Sequence, residues 1–153
     1  MKRIIALMLF IACLAAIPAG YADEVEYYVI CNPKSYVCVR NEPKKKAAKS
    51  GQFDCGDYVI SDGTEKNGYL HILGGFEGDG WIYKGNLVAD QPVIEKQTMR
   101  VNSNWSVICR KSVSGKKVGM LSNGDTVTVY AHSAEWAVTD KGYIRTDFLE
   151  VDE

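Results

Sequence analysis

Short β-runs announced by turns recur along this chain, and their order occurs twice. In the later copy, Asn123-Gly124-Asp125 precedes Thr126-Val127-Thr128-Val129-Tyr130. Asn-Gly supplies positive φ without steric cost, and the β-branched run behind it alternates between two faces. Ser133-Ala134-Glu135 then leads into Trp136-Ala137-Val138-Thr139, and Asp140-Lys141-Gly142 into Tyr143-Ile144-Arg145. Strands this short, at such even spacing, indicate a small all-β barrel or sandwich. Helical periodicity is absent from Asp23 onward.

The earlier copy runs from Val37-Cys38-Val39-Arg40-Asn41-Glu42-Pro43 through Gly51-Gln52-Phe53-Asp54-Cys55-Gly56-Asp57-Tyr58-Val59-Ile60. It continues with Asn67-Gly68-Tyr69-Leu70-His71-Ile72 and closes on Gly80-Trp81-Ile82 and Leu87. Laid on the later copy, Arg40 meets Arg110, Gly56-Asp57 meets Gly124-Asp125, and Tyr69 meets Trp136. Gly80-Trp81-Ile82 meets Gly142-Tyr143-Ile144, and Leu87 meets Leu149. The offset drifts, which places insertions in loops, chiefly the glycine-rich stretch from Gly74 to Gly80, read as a flexible loop between strands. A repeat of this length is a tandem domain and not a solenoid unit.

The order V-x-V-R-x-x-P, G-x-[FL]-x-x-G-D-x-V, an aromatic strand, then G-[WY]-[IV] before a final leucine resembles bacterial SH3-like domains. The resemblance covers Tyr36 to Val88 and Val107 to Val151. It departs from the pattern at Cys109, where the first copy has Val39, and at Val113, where the first has Pro43. It implies two tandem SH3-like small β-barrels, with the first opening at Tyr36, and a binding role whose ligand is cell-wall peptidoglycan peptide or another extracellular ligand. The alternative is a module that docks on an exported enzyme or other partner protein.

Met1-Lys2-Arg3 and the apolar run Ile4 to Ala16 read as the n- and h-regions of a signal peptide, with cleavage expected after Ala22. The expected division is a signal peptide at residues 1–22, a first SH3-like domain with its N-terminal extension at 23–90, and a second domain at 91–153. The run is too short for a confident membrane span, so the mature chain is expected in the cell envelope or secreted, without stable membrane insertion. Lys2 and Arg3 are the only charges before Asp23, so the chain from Asp23 onward is slightly acidic. That balance excludes a nucleic-acid binder, which needs a basic excess for phosphate contacts. Lys44-Lys45-Lys46 is a local cluster, read as a solvated loop tip with contact to an anionic wall polymer as the minority reading.

Four cysteines lie beyond the leader: Cys31, Cys38, Cys55 and Cys109. An even number in an exported chain points to disulfides. A pair among Cys31, Cys38 and Cys55, inside the first copy, is expected, with Cys31 or Cys38 bonded to the turn residue Cys55. Cys109, at an inward strand position, is expected to be a buried thiol. The closely spaced paired ligands of a zinc site are missing, so no metal and no cofactor are expected. A cysteine–histidine nucleophile pair could be drawn from His71 and any neighbouring cysteine, but no residues remain to build a separate catalytic domain, and an enclosed cleft with an oxyanion site is hard to assemble in a barrel this small. The chain is therefore expected not to be an enzyme.

Aromatic residues are the candidate binding groups: Tyr36, Tyr69, Trp81, Trp105, Trp136 and Tyr143, joined by Arg40 and Arg110. Exposed rings can form a groove for a stiff, extended peptide. Trp81 and Tyr143, each after a glycine, are expected mostly in the core, and the two arginines are expected to brace the loop after the opening strand. Trp105, just beyond the short linker from Asp90 to Gln97, is expected to be partly buried against the first barrel and to fix the angle between the two.

Overall fold

The computed structural model describes residues 23–75 and 78–152. The expected signal peptide lies outside them. Among the described residues there is no α-helix, and no helix is long and apolar enough to cross a membrane. The chain forms two seven-stranded antiparallel sheets. The first contains β1 (Val25–Val29), β2 (Tyr36–Arg40), β3 (Lys49–Asp54), β4 (Tyr58–Lys66), β5 (Tyr69–Gly75), β6 (Gly78–Tyr83) and β7 (Leu87–Val88). The second contains β8 (Gln97–Val101), β9 (Val107–Arg110), β10 (Lys117–Leu121), β11 (Thr126–His132), β12 (Trp136–Thr139), β13 (Gly142–Arg145) and β14 (Leu149–Val151). Strand order is β3-β2-β6-β5-β4-β1-β7 in one and β10-β9-β13-β12-β11-β8-β14 in the other, the same path taken twice.

Bonds at the Gly-Asp turns show why the two stretches fold alike. The Asp57 carboxylate accepts from the Asp54 amide at 2.7 Å, and the Asp125 carboxylate accepts from the Ser122 amide at 2.8 Å. Gly56 and Gly124 donate to the carbonyls of Val29 and Val101, both at 2.8 Å, and the amides of those two valines donate to the carbonyls of Asp57 and Asp125 in return. Each turn thereby ties its sheet to a strand that begins the unit. The first unit therefore opens at β1 and not at Tyr36, and Gln97 belongs to β8 and not to a linker. The run Glu26-Tyr27-Tyr28-Val29-Ile30-Cys31 reads as a strand from its residues and supplies most of β1, but it carries no motif residue to mark it as part of the first barrel, and β8 carries none either.

At Asn67-Gly68 the two-residue turn between β4 and β5 has positive φ at both positions, 54° and 76°, as a tight hairpin with the sheet's own twist requires. The glycine-rich stretch is mostly strand: β5 and β6 continue through it, with Gly75 opposite Gly78. Residues with little side chain can still pair backbones, and the extra length is a longer hairpin than that of β12 and β13.

Strand alternation builds the cores. Along β11, Val127, Val129 and Ala131 are buried while Thr126, Thr128 and Tyr130 face outward. One cluster of the first sheet gathers Val29, Val37, Val39, Val59, Ile72 and Ile82. One of the second gathers Val101, Val107, Cys109, Val127, Val129 and Ile144. Cys109 is buried there as a thiol.

A third cluster joins the sheets. Ile30 and Val88 from the first pack with Trp136 and Val138 from the second, and Tyr28, Val113 and Tyr143 close around them. The expectation for Trp105 is overturned: it is 83% exposed. Its loop turns on the bond from its own amide to Ser103 Oγ, and the next strand buries Val107 in its place. Trp136, a candidate binding ring, is the aromatic anchor of the seam at 6% exposed. It starts β12, where the chain meets the first sheet, and the Arg145 guanidinium lies 5.8 Å from its ring centre.

Candidate functional site: the groove along the seam

One backbone bond from the loop between β9 and β10 and one side-chain bond from β13 tie the second sheet to the first unit. The Val113 amide donates to the Gly85 carbonyl at 2.9 Å, and the Tyr143 hydroxyl donates to the Ile30 carbonyl at 3.1 Å. Burial raises the Tyr143 phenol well above its usual range, so it stays protonated as a donor. Gly85 must be a glycine, because a Cβ there would sit 2.7 Å from Ser112 Oγ. The connection between sheets is held as well: Val93 and His132 exchange both backbone bonds, at 2.7 and 2.9 Å.

Arg40 and Arg110 hold the walls. Arg40 Nη1 donates to the Ala47 carbonyl at 2.8 Å, and Arg110 Nη1 donates to the Gly115 carbonyl at 2.9 Å. Each guanidinium closes the loop after its own strand, the bracing role expected of both. The two braced loops, one from each sheet, face a common groove of about 770 Å³. Tyr36, Tyr69 and Tyr83 supply its rings. Tyr36 and Tyr83 are well exposed, while buried Tyr69 meets Tyr83 edge-on with centroids 5.6 Å apart.

Charge in the groove has one sign. Arg40, Lys44, Lys45, Lys111 and Lys116 line it, and no acidic residue does. Lys44 is held by Glu42 at 2.5 Å. Among the described residues, Lys45, Lys111 and Lys116 enter no ion pair. Lys49 Nζ lies 5.6 Å from the Tyr36 ring centre, and the Cys38 thiol beside it raises its ammonium further. A chain whose formal net charge is -1 thus concentrates unpaired cations in one concave place.

A second cavity, of about 430 Å³, shares Tyr36, Val37, Asn86 and Lys111 with the groove and extends it to Arg110 and Tyr143. A third, of about 490 Å³, shares Tyr83 and reaches Trp136, Val88 and Val113. The candidates Tyr36, Arg40, Tyr69, Arg110 and Tyr143 therefore come together along the seam. Trp81 and Trp105 line none of these cavities. Trp81 is half-buried with its ring 4.9 Å from that of His71, whose Nδ1 is 2.8 Å from Asp62 Oδ2. Lys111 and Lys116 were missed by reasoning on aromatics. Their signal was present in the repeat: the loop after each arginine strand is lysine-rich, as Lys44-Lys45-Lys46 and as Lys111 with Lys116-Lys117.

No histidine lines any of the three cavities. Among the described residues no group of three His, Cys, Asp or Glu side chains converges as a metal site would require. The cysteines expected in a disulfide are thiols here, although Cys31 and Cys55 are in contact, with the Cys31 amide 3.5 Å from Cys55 Sγ. Cys38 is separate from them and lines the groove.

No family model and no curated protein matches the chain. Among solved structures it is similar to NlpC1 from Trichomonas vaginalis, with 20% identity, 88% of this chain and 48% of that one covered, and a TM-score of 0.37. NlpC2 from Trichomonas vaginalis matches at 18% identity over 87% of this chain and 50% of that one, with the same score. The endolysin LysPBC5 CBD matches at 13% identity over 82% and 92%, with a TM-score of 0.31. The chain spans about half the length of the two Trichomonas proteins. At these identities and scores the likeness bears on neither ligand nor chemistry.

Proposed function

We propose that this chain is an exported, non-catalytic binding protein whose two sheets are SH3-like barrels and whose seam groove takes peptidoglycan stem peptides. The observation that carries the reading is the groove itself: exposed tyrosine rings beside unpaired lysines, with no acid among its lining residues. An extended peptide lays its backbone across rigid rings at little entropic cost. Its carboxylates then meet ammonium groups in charge-assisted hydrogen bonds. Lys111 and Lys116 come from the second sheet and the three tyrosines from the first, so one ligand engages both. The locked seam supports this role, because a groove already formed spares the ligand the cost of ordering it. The separate cores of the two sheets support two domains, at residues 23–90 and 91–153.

Co-sedimentation with insoluble peptidoglycan tests the reading. Wild-type protein is expected in the pellet, and Tyr36→Ala with Lys111→Glu and Lys116→Glu in the supernatant. Peptidoglycan stripped of anionic polymers should retain the protein equally. Wild-type protein left in solution, or a triple variant that pellets as well, overturns the proposal. Recovery only with a protein partner would do the same in favour of a docking module.

A further inference from the structure

Cys31 and Cys55 meet at a turn that needs no sulfur. The Cys31 amide donates to Cys55 Sγ, and the Cys31 thiol faces the Ser35 carbonyl at 3.8 Å. In the second sheet the matching bond runs from the Ser103 amide to Asn123 Oδ1 at 3.1 Å. The correspondence is set by the neighbouring bonds: Val29 with Gly56 and Asp57 in one sheet, Val101 with Gly124 and Asp125 in the other. An asparagine oxygen therefore satisfies the same amide, and a serine suffices opposite it. Both positions are cysteine in the first sheet and neither is in the second.

We infer that Cys31 and Cys55 are a thiol–disulfide exchange site that reacts with low-molecular-weight or protein disulfides. Cys55 is the attacking group, because it is partly exposed at the turn while Cys31 is buried at 6% exposed. The Cys55 sulfur forms a bond to one sulfur of the incoming disulfide, whose other sulfur leaves as a thiolate. Cys31 then gives its proton to solvent and attacks Cys55 Sγ, releasing the second thiolate. Two protein thiols are oxidised to one disulfide, and one external disulfide is reduced to two thiols. The contact of the two sulfurs favours this division of roles. The Cys31 thiol, and after it the Cys31 amide, hold Cys55 down at about 7 against the cost of burial and the opposing charge of Asp57, while Cys31 is pushed up by its contact with the Cys55 sulfur, by burial and by the charges of Cys55, Asp54 and Asp57. Closure ties the end of β1 to the turn before β4. It lies beside the seam, since Ile30 next to Cys31 receives the Tyr143 hydroxyl.

The test is incubation of the reduced full chain with excess oxidised glutathione, then alkylation and non-reducing peptide mapping. A peptide linked through Cys31 and Cys55 is expected, with Cys38 and Cys109 alkylated after unfolding. Cys31→Ser should instead retain a glutathione adduct at Cys55, while Cys55→Ser should leave Cys31 unmodified in the folded protein. The double variant Cys31→Ser with Cys55→Asn copies the second sheet's own pairing and should fold, with a melting temperature indifferent to reductant. Oxidised wild type should melt several degrees lower when reductant is added. A linked peptide containing Cys38, free Cys31 and Cys55 after treatment, or a wild-type melting temperature indifferent to reductant overturns the inference. The outcome is independent of whether the groove binds peptidoglycan.

Discussion

Replacing Trp136 by alanine should uncouple the two sheets without unfolding either. Trp136 is 6% exposed and packs with Ile30, Val88 and Val138, yet it belongs to neither of the clusters inside the sheets. A tryptophan buries about 200 Å², which at about 25 cal/mol per Å² corresponds to about 5 kcal/mol. Truncation in a packed site costs about 3–5 kcal/mol. Because both inner cores survive, the loss should fall on the seam. Urea unfolding read by far-UV circular dichroism reports on both sheets. Tryptophan fluorescence of the variant reports on the first, because Trp81 is half-buried there and Trp105 is already exposed. The two probes should coincide in wild type and separate in Trp136→Ala. Coincident curves with an unshifted midpoint would refute the assignment of Trp136 as the anchor. Trp105→Ala is the control and should change stability by no more than about 0.5 kcal/mol.

Gly85→Ala should destabilise by about 1–3 kcal/mol, because the added carbon meets Tyr83 Cε1 at 2.5 Å and Ser112 Oγ at 2.7 Å; urea midpoints check it, and Ser112→Gly should partly restore the loss. Asp62 has its carboxyl held below the usual range, first by the Thr64 amide and then by His71. A depressed carboxylate stabilises the fold above its unfolded pKa, and that contribution disappears as pH falls through the lower folded value. Asp62→Asn should therefore cost about 0.5–1 kcal/mol near neutral pH, with the difference from wild type vanishing in acid. A gap between the two that stays constant across pH would contradict this.

The all-β class was legible because alternation and turn chemistry are local. Val127, Val129 and Ala131 face inward as their spacing demands, and Asn67-Gly68 turns as its φ preferences demand. The repeat was legible at Gly56-Asp57 and Gly124-Asp125 for the same reason. What the sequence concealed is set by contacts between distant segments. The run from Glu26 to Cys31 reads as a strand, but that it belongs to the first sheet, and that β8 is a strand at all, shows only through their partners, β4 with β7 and β11 with β14. Which tryptophan anchors the seam depends on where β12 comes to lie, and Trp105 and Trp136 look alike in a one-dimensional pattern. The groove was half legible: Tyr36 and Tyr69 were picked out as candidate binding rings, but Tyr83 was not, and the charge arises only when the loop carrying Lys111 and Lys116 crosses to Tyr36. The contact of Cys31 with Cys55, as opposed to Cys38 with Cys55, likewise needed the turn to close on the end of β1.

The most direct measurement on the central claim is calorimetric titration of the full chain with a soluble peptidoglycan stem peptide and with the same peptide amidated at its carboxylates. Saturable binding of the free-acid peptide is expected. Amidation, or Lys111→Gln with Lys116→Gln, should weaken it by about 0.5–1 kcal/mol, roughly two- to fivefold, for each charge pair removed, because both lysines are exposed. Equal affinity for both peptides, an unaffected lysine variant, or no binding of the free-acid peptide would contradict a groove built for carboxylate-bearing wall peptide.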